Sequence, residues 1–120
     1  MKNNNKTGNL REKLKQALVC TARVISEDFD NKKNYKKNKE LENNDPFDLK
    51  NLDNKNDFIR ARAESDSAAL KKKFSNYDIY KKNLPSNLSR KSFYSIAEKI
   101  RYESLGAKML KGIEKNLTSN

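Results

Sequence analysis

Charged side chains set within apolar helical patterns are the residues whose type and spacing could do chemistry here. Asp66 falls inside a stripe of apolar residues that recur every three or four positions, and Glu64 lies two residues before it. Glu98, Arg101 and Glu103 occur in a similar pattern later in the chain. Charges in such positions usually pair with one another and fix the register of packed helices. The alternative is a pair of acids held for a partner's arginine or for a metal ion.

Two residue types that are common in catalytic and metal sites are absent or rare. The 120-residue chain has no histidine, and its single cysteine is Cys20. It therefore lacks the commonest metal ligand and the commonest general base near neutral pH. It also has no Gly-rich phosphate loop, no Cys/His zinc spacing and no nucleophile next to a base. We expect a non-catalytic chain that binds no metal or cofactor itself, with Cys20 as a small buried apolar residue.

The composition limits both the core and the partners. Hydrophobic residues make up 34% and charged residues 36%, with a net charge of +11. This allows one modest core and favours acidic partners, namely nucleic acid, an anionic membrane surface or an acidic protein segment. One cysteine excludes an internal disulfide, and no apolar run is long enough for a signal peptide or a membrane span. We expect a cytoplasmic protein without a membrane segment.

Apolar periodicity predicts a mainly α fold, a small three-helix bundle-like domain in residues 1–120. The predicted helices cover 9–26, 57–76 and 86–117. Between the first two lies a segment, 27–56, that is rich in asparagine, lysine and acids and typical of irregular structure. Short strands within this insertion are the alternative.

The helix predicted over 86–117 has an unusual composition. One face carries a mostly apolar stripe in steps of three and four, formed by Phe93, Ile96, Ile100, Glu103, Ala107, Leu110 and Leu117, with Glu103 at a position that is normally apolar. Gly106 and Gly112 interrupt the helix interior, where each glycine costs about 1 kcal/mol relative to alanine. A closely packed partner backbone would explain that cost.

Two blocks of sequence resemble the CobT subunit of aerobic cobaltochelatase. The first block, RAESDSAAL, is similar to an R-G-E-A-D-x-x-A-L pattern of that family. The second, IAEKIRYESLGA, is similar to a V-E-Q-A-R-x-E-A-L-G-A helix that continues to a G-V-x-x-N-L ending. The pattern positions that we take as partner-binding or family-motif residues are Arg62, Glu64, Asp66, Leu70, Phe93, Glu98, Arg101, Glu103, Gly106, Gly112 and Asn116.

The resemblance implies a subunit of an ATP-dependent complex that inserts cobalt into hydrogenobyrinic acid a,c-diamide during cobalamin synthesis. In that complex a large CobN subunit holds the tetrapyrrole and CobS is the AAA+ ATPase, so ATP, Mg and Co are used by the complex. The chain departs from the pattern at Ala63, where the family usually has glycine. It also contains no von Willebrand factor A-type domain, and we expect it to correspond to the family's N-terminal domain only.

Two interpretations follow from these observations. In the first, the chain is a non-catalytic assembly portion of the chelatase, and Glu98, Arg101, Glu103 and Gly106 form a shared docking or folding face. In the second, the charge of +11 marks a basic helical nucleic-acid-binding module. No recognisable nucleic-acid-reading motif accompanies that charge.

Overall fold

A computed structural model of the chain describes residues 4–27 and 54–120, with side chains described from Gly8 onward in the first range. These residues form five helices: α1 (Asn4–Ser26), α2 (Lys55–Phe74), α3 (Tyr77–Asn83), α4 (Leu88–Met109) and α5 (Lys111–Thr118). Neither described range contains a strand. The predicted mainly α class is confirmed. The helix α2 contacts α1, α4 and α5, and so forms the centre of the fold.

Asparagine residues cap the N-termini of three of the helices. The Asn54 side chain accepts a hydrogen bond of 3.0 Å from the Asp57 amide, and the Asp57 carboxylate accepts one from the Asn54 amide. Asn76 and Asn87 cap α3 and α4 in the same manner, by accepting from backbone amides of the first turn. An asparagine cap stabilises a helix because it satisfies amides that have no partner within the helix.

The helix predicted over 86–117 is divided in two. Leu110 has an extended backbone, with φ −140° and ψ 121°, and separates α4 from α5. The break lets α5 change direction and bury Ile113, which is 4% exposed. The segment between α2 and α4, expected to be a loop, contains the short helix α3. Most of the predicted insertion 27–56 lies outside the described residues.

The core joins residues from four helices. Ile25 of α1, Leu70 of α2, Tyr102 of α4 and Ile113 of α5 lie in one buried cluster, together with Ala69. Leu18 and Ala61 form a second, smaller cluster where α1 packs on α2. Leu70 is fully buried. The core is therefore centred on α2 and depends on contacts that are distant in sequence.

Small residues on α2 allow α1 to lie close to it. Ala61, Ser65 and Ala69 are spaced by four residues and are all buried. Leu18 packs on Ala61, and Ile25 packs in the cluster that contains Ala69. Residues four apart lie on one side of a helix, so these small side chains form a single contact surface for α1.

The apolar stripe of α4 does not face this core. Phe93 is 73% exposed, Ile96 is 56% exposed and Ile100 is 59% exposed. The buried residues of α4 are Tyr102 and Gly106. The expectation for Cys20 was also wrong, because its side chain is exposed on α1. Both results depend on which faces of the helices pack together. The periodicity of residues within one helix does not specify this.

Candidate functional site

Four of the proposed site residues lie on α2, and they differ in burial. Arg62 and Glu64 are exposed, whereas Asp66 is 3% exposed and Leu70 is fully buried. Asp66 and Leu70 are four residues apart and face the helices α4 and α5. Asp66 and Leu70 therefore face the interior of the domain, and the charged side chains of Arg62 and Glu64 lie at its surface.

Gly106 of α4 lies directly against Leu70. A Cβ atom built on Gly106 would overlap both methyl groups of Leu70 and lie 2.8 Å from its Cγ atom. No side chain larger than hydrogen fits there without movement of a fully buried leucine. The close approach explains the glycine in the helix interior. Gly112 differs, since a Cβ atom there would meet nothing within 4 Å.

Asp66 and Asn116 connect α2 to α5. The Asn116 side-chain amide donates a 2.7 Å hydrogen bond to the Asp66 carboxylate. Burial raises the pKa of Asp66, and the Asn116 hydrogen bond and the charge of Arg62 oppose that rise. Within residues 4–27 and 54–120, the hydrogen bond to this acid comes from a neutral amide, and Arg62 acts on it through its charge.

A cleft opens beside this pair. It has a volume of about 290 Å³, and its walls come from α1, α2 and α5 and from the residue that joins α4 to α5. Arg62, Asp66, Gly112 and Asn116 line it, with Ile25 among the apolar residues of α1. Four of the eleven proposed site residues thus line one cleft, although two of them lie on α2 and two lie on α5.

Arg101 and Glu98 hold the C-terminal end of α2. Arg101 donates to the Glu98 carboxylate over 2.7 and 2.8 Å, and its Nη2 donates over 2.7 Å to the carbonyl oxygen of Phe74. The Ser75 hydroxyl donates to the same carboxylate. The hydrogen bonds from Arg101 and Ser75 lower the pKa of Glu98 to about 2. The same contact with Glu98 raises the pKa of Arg101.

Glu103 contacts the middle of α2. Its carboxylate accepts a 2.5 Å hydrogen bond from the Ser67 hydroxyl and lies 3.8 Å from the Lys99 ammonium nitrogen. A second cleft, of about 420 Å³, lies here between α2, α4 and the end of α5. Glu64 lines its rim, and Tyr102 lines it from α4.

The four residues proposed to share a face, Glu98, Arg101, Glu103 and Gly106, all contact α2 or the residue that follows it. Phe93 is separate from them, on the exposed side of α4. The partners Ser67, Ser75 and the Phe74 carbonyl were not identified from sequence. No spacing signal could have found them, because each is defined only by where α4 crosses α2.

Two features are absent from residues 4–27 and 54–120. No helix there is long and apolar enough to cross a membrane. No three acidic or cysteine side chains in that part of the chain lie close enough together to hold a metal ion.

These contacts define a small helical domain whose charged motif residues hold its helices to one another. The sequence model of the family described as cobalamin biosynthesis protein CobT matches residues 9–120. The chain therefore belongs to the CobT family of cobalamin biosynthesis proteins. No curated protein and no solved structure matches the chain.

Proposed function

We propose that the chain is a non-catalytic assembly portion of the ATP-dependent aerobic cobaltochelatase. In this role it binds a CobS-like AAA+ ATPase and works with a CobN-like large subunit that holds the tetrapyrrole. The complex inserts Co²⁺, its substrate, into hydrogenobyrinic acid a,c-diamide. ATP and Mg²⁺ are used by the ATPase subunit in this scheme.

The observation that carries the proposal is membership of the CobT family over residues 9–120. The contacts of the motif residues support it further. Asp66, Glu98, Arg101 and Glu103 are engaged with hydrogen-bond partners on neighbouring helices or in the turn after α2. Charged residues used in this way position a surface for other subunits and leave the reaction to the subunits that bind ATP and the tetrapyrrole.

Reconstitution with purified subunits tests the proposal. The full chain, carrying an affinity tag, is mixed with the CobS-like ATPase and the CobN-like subunit, with and without ATP and Mg²⁺. We expect the chain to co-elute with the ATPase in size-exclusion chromatography and in affinity capture. Absence of co-elution under every nucleotide condition would contradict the proposal.

A nucleic-acid-binding module is the second candidate, and the observation that favours it is the net charge of +11. Several lysines on α2 and α3 are exposed, among them Lys71, Lys81 and Lys82. Filter binding of labelled RNA and DNA over a range of salt separates the two candidates. Counterion release predicts a steep loss of affinity as salt rises, and no binding at low salt would remove this candidate.

A further inference from the structure

We infer that the exposed apolar stripe of α4 is a docking surface for an amphipathic helix with acidic flanks on a partner protein. We call Phe93, Ile96 and Ile100 the outer stripe. The identity of the partner as a chelatase subunit rests on the proposed function. The chemistry of the surface does not depend on it.

The outer stripe is continuous along one side of the helix. Its residues are separated by three and then four positions, the spacing that places side chains on one face. Phe93 and Ile100 are seven positions apart, or roughly 10 Å of helix at 1.5 Å per residue. The exposed fractions of the three side chains are 73%, 56% and 59%. Single exposed apolar residues need no explanation, but a contiguous row of large ones marks an interaction site.

The outer stripe lies on the far side of α4 from Tyr102, and Glu103, which contacts Ser67 of α2, borders it next to Ile96. Tyr102 and Gly106 are the buried residues of this helix. At about 100° per residue, Phe93, Ile96 and Ile100 lie about 180°, 120° and 160° around the helix from Tyr102, each taken the shorter way. The motif contacts to α2 therefore hold α4 so that its outer stripe points away from the core. This orientation gives the charged motif residues an indirect role in docking.

The charges beside the outer stripe indicate the chemistry of the partner. Arg90 and Lys108 are exposed and lie eighteen residues apart, or about five helical turns, so they share one side of the helix, with Arg90 three residues before the stripe and Lys108 eight residues after it. Neither has an ion-pair partner among residues 4–27 and 54–120. On the other flank, Lys99 lies 3.8 Å from Glu103 and is 60% exposed. The unpaired flank is thus basic and complements acidic side chains.

An amphipathic helix fits these features better than the other possible occupants. A helix packs its own apolar residues, spaced by three and four, against such a row, and its flanking acids reach Arg90 and Lys108. A second copy of this chain would bring two molecules of charge +11 together. Nucleic acid would use the basic flank and leave Phe93, Ile96 and Ile100 in water.

Binding of a synthetic helical peptide tests the chemistry directly. The probe is a fluorescent peptide with a leucine stripe and glutamate flanks, and the matched probe has lysine flanks. Anisotropy titrations use the full chain. We expect the glutamate peptide to bind at least about tenfold more tightly than the lysine peptide, because like charges across an interface oppose binding.

Variants locate the binding to the outer stripe. Ile96→Ser with Ile100→Ser should weaken binding of the glutamate peptide at least about tenfold. The matched control is Leu10→Ser with Ile79→Ser, at apolar residues that are 64% and 61% exposed on other helices. Arg90→Glu with Lys108→Glu should reverse the preference between the two peptides, whereas Lys13→Glu with Lys81→Glu should not. Circular dichroism checks that each variant is folded.

Several outcomes would overturn the inference. Equal binding of the two peptides, or equal losses in stripe and control variants, excludes an acidic helix on this surface. Concentration-dependent dimerisation that the stripe variant abolishes would assign the stripe to a second copy. RNA binding lost in the same variant would assign it to nucleic acid.

The same variants separate this inference from the proposed function. If the chain assembles with the CobS-like ATPase and the stripe variant assembles equally well, the inference fails and the function stands. If the glutamate peptide binds at the stripe but no chelatase subunit assembles, the function fails and the surface stands.

Discussion

Gly106 of α4 packs against the fully buried side chain of Leu70 of α2, with no room for a Cβ atom between them. We expect Gly106→Ala to destabilise the domain by about 1–3 kcal/mol, the usual cost of overpacking a well-packed core. Urea unfolding followed by circular dichroism measures the change. Gly112→Ala is the control, since open space surrounds it. This variant should be neutral or up to about 1 kcal/mol more stable because alanine favours a helix.

A double variant tests the contact between these two residues. Leu70→Ala alone should cost about 2–5 kcal/mol, as for other large-to-small changes in a core. In the presence of Leu70→Ala, the cost of Gly106→Ala should fall, since the overlapping methyl groups are gone. If the losses in unfolding free energy of the two single variants simply add in the double variant, the steric contact between these residues is excluded.

Removing the charge of Asp66 and removing its hydrogen-bond acceptor for Asn116 should have different effects on the stability of the domain. Asp66→Asn keeps an oxygen that can accept from the Asn116 amide and removes a buried charge, so stability at neutral pH should be equal or higher. Asp66→Ala leaves the Asn116 donor unpaired and should cost about 1–3 kcal/mol. Urea unfolding at neutral pH compares the two, and Glu64→Gln on the exposed part of α2 is the control. Equal losses in the asparagine and alanine variants would contradict this assignment.

The pH dependence of the same carboxyl has a defined sign. Burial raises the folded-state pKa of Asp66 above its ordinary value of 3.8, so the ionised form opposes folding. This penalty is present above the folded-state pKa and is relieved as pH falls towards 3.8. The stability of the unchanged chain should therefore rise relative to Asp66→Asn as pH is lowered through the weakly acidic range. A constant difference would contradict burial of the charge.

Glu98 should show the opposite dependence on pH. Its folded-state pKa is about 2, against an ordinary value of 4.5, because Arg101 and Ser75 donate to it. Its contribution to stability is complete above about pH 4.5 and is lost as pH falls towards 2. Carboxyl-carbon NMR titration measures the pKa directly. In Arg101→Ala the pKa should move most of the way back to its ordinary value, whereas Lys99→Ala should leave it low.

Exposed Cys20 should react in the folded protein. Its side chain is exposed on α1, so a maleimide should modify it completely without denaturant and without loss of helix signal. Mass spectrometry and circular dichroism check the two results. Modification that requires urea would place the cysteine in an interior position.

The sequence predicted the helical class and the local signals within it. The recurrence of Leu14, Leu18 and Ile25 at intervals of four and seven residues indicated a helix near the N-terminus, and the pattern around Leu70 indicated another. The family blocks located Asp66, Glu103 and Gly106 as positions of interest. These features depend on residues close together in the chain, where periodicity and residue type are sufficient evidence.

The partners of those residues were not available from the sequence. Asn116 lies 50 residues from Asp66, and Ser67 lies 36 residues from Glu103, so each pair exists only because separate helices pack. Packing also decided which side of α4 is buried. The face that contains Tyr102 and Gly106 is buried, with Gly106 directly against Leu70, and the stripe of Phe93, Ile96 and Ile100 is exposed.

By itself, then, the sequence determined a basic helical chain of the CobT type, with its motif acids and its interior glycine. Only the tertiary structure decided that those acids bind neighbouring helices and that Phe93, Ile96 and Ile100 face outward. The physical reason is that a helix can bury either of two faces. The choice depends on which neighbouring surface allows the closest packing, and that surface belongs to a distant part of the chain.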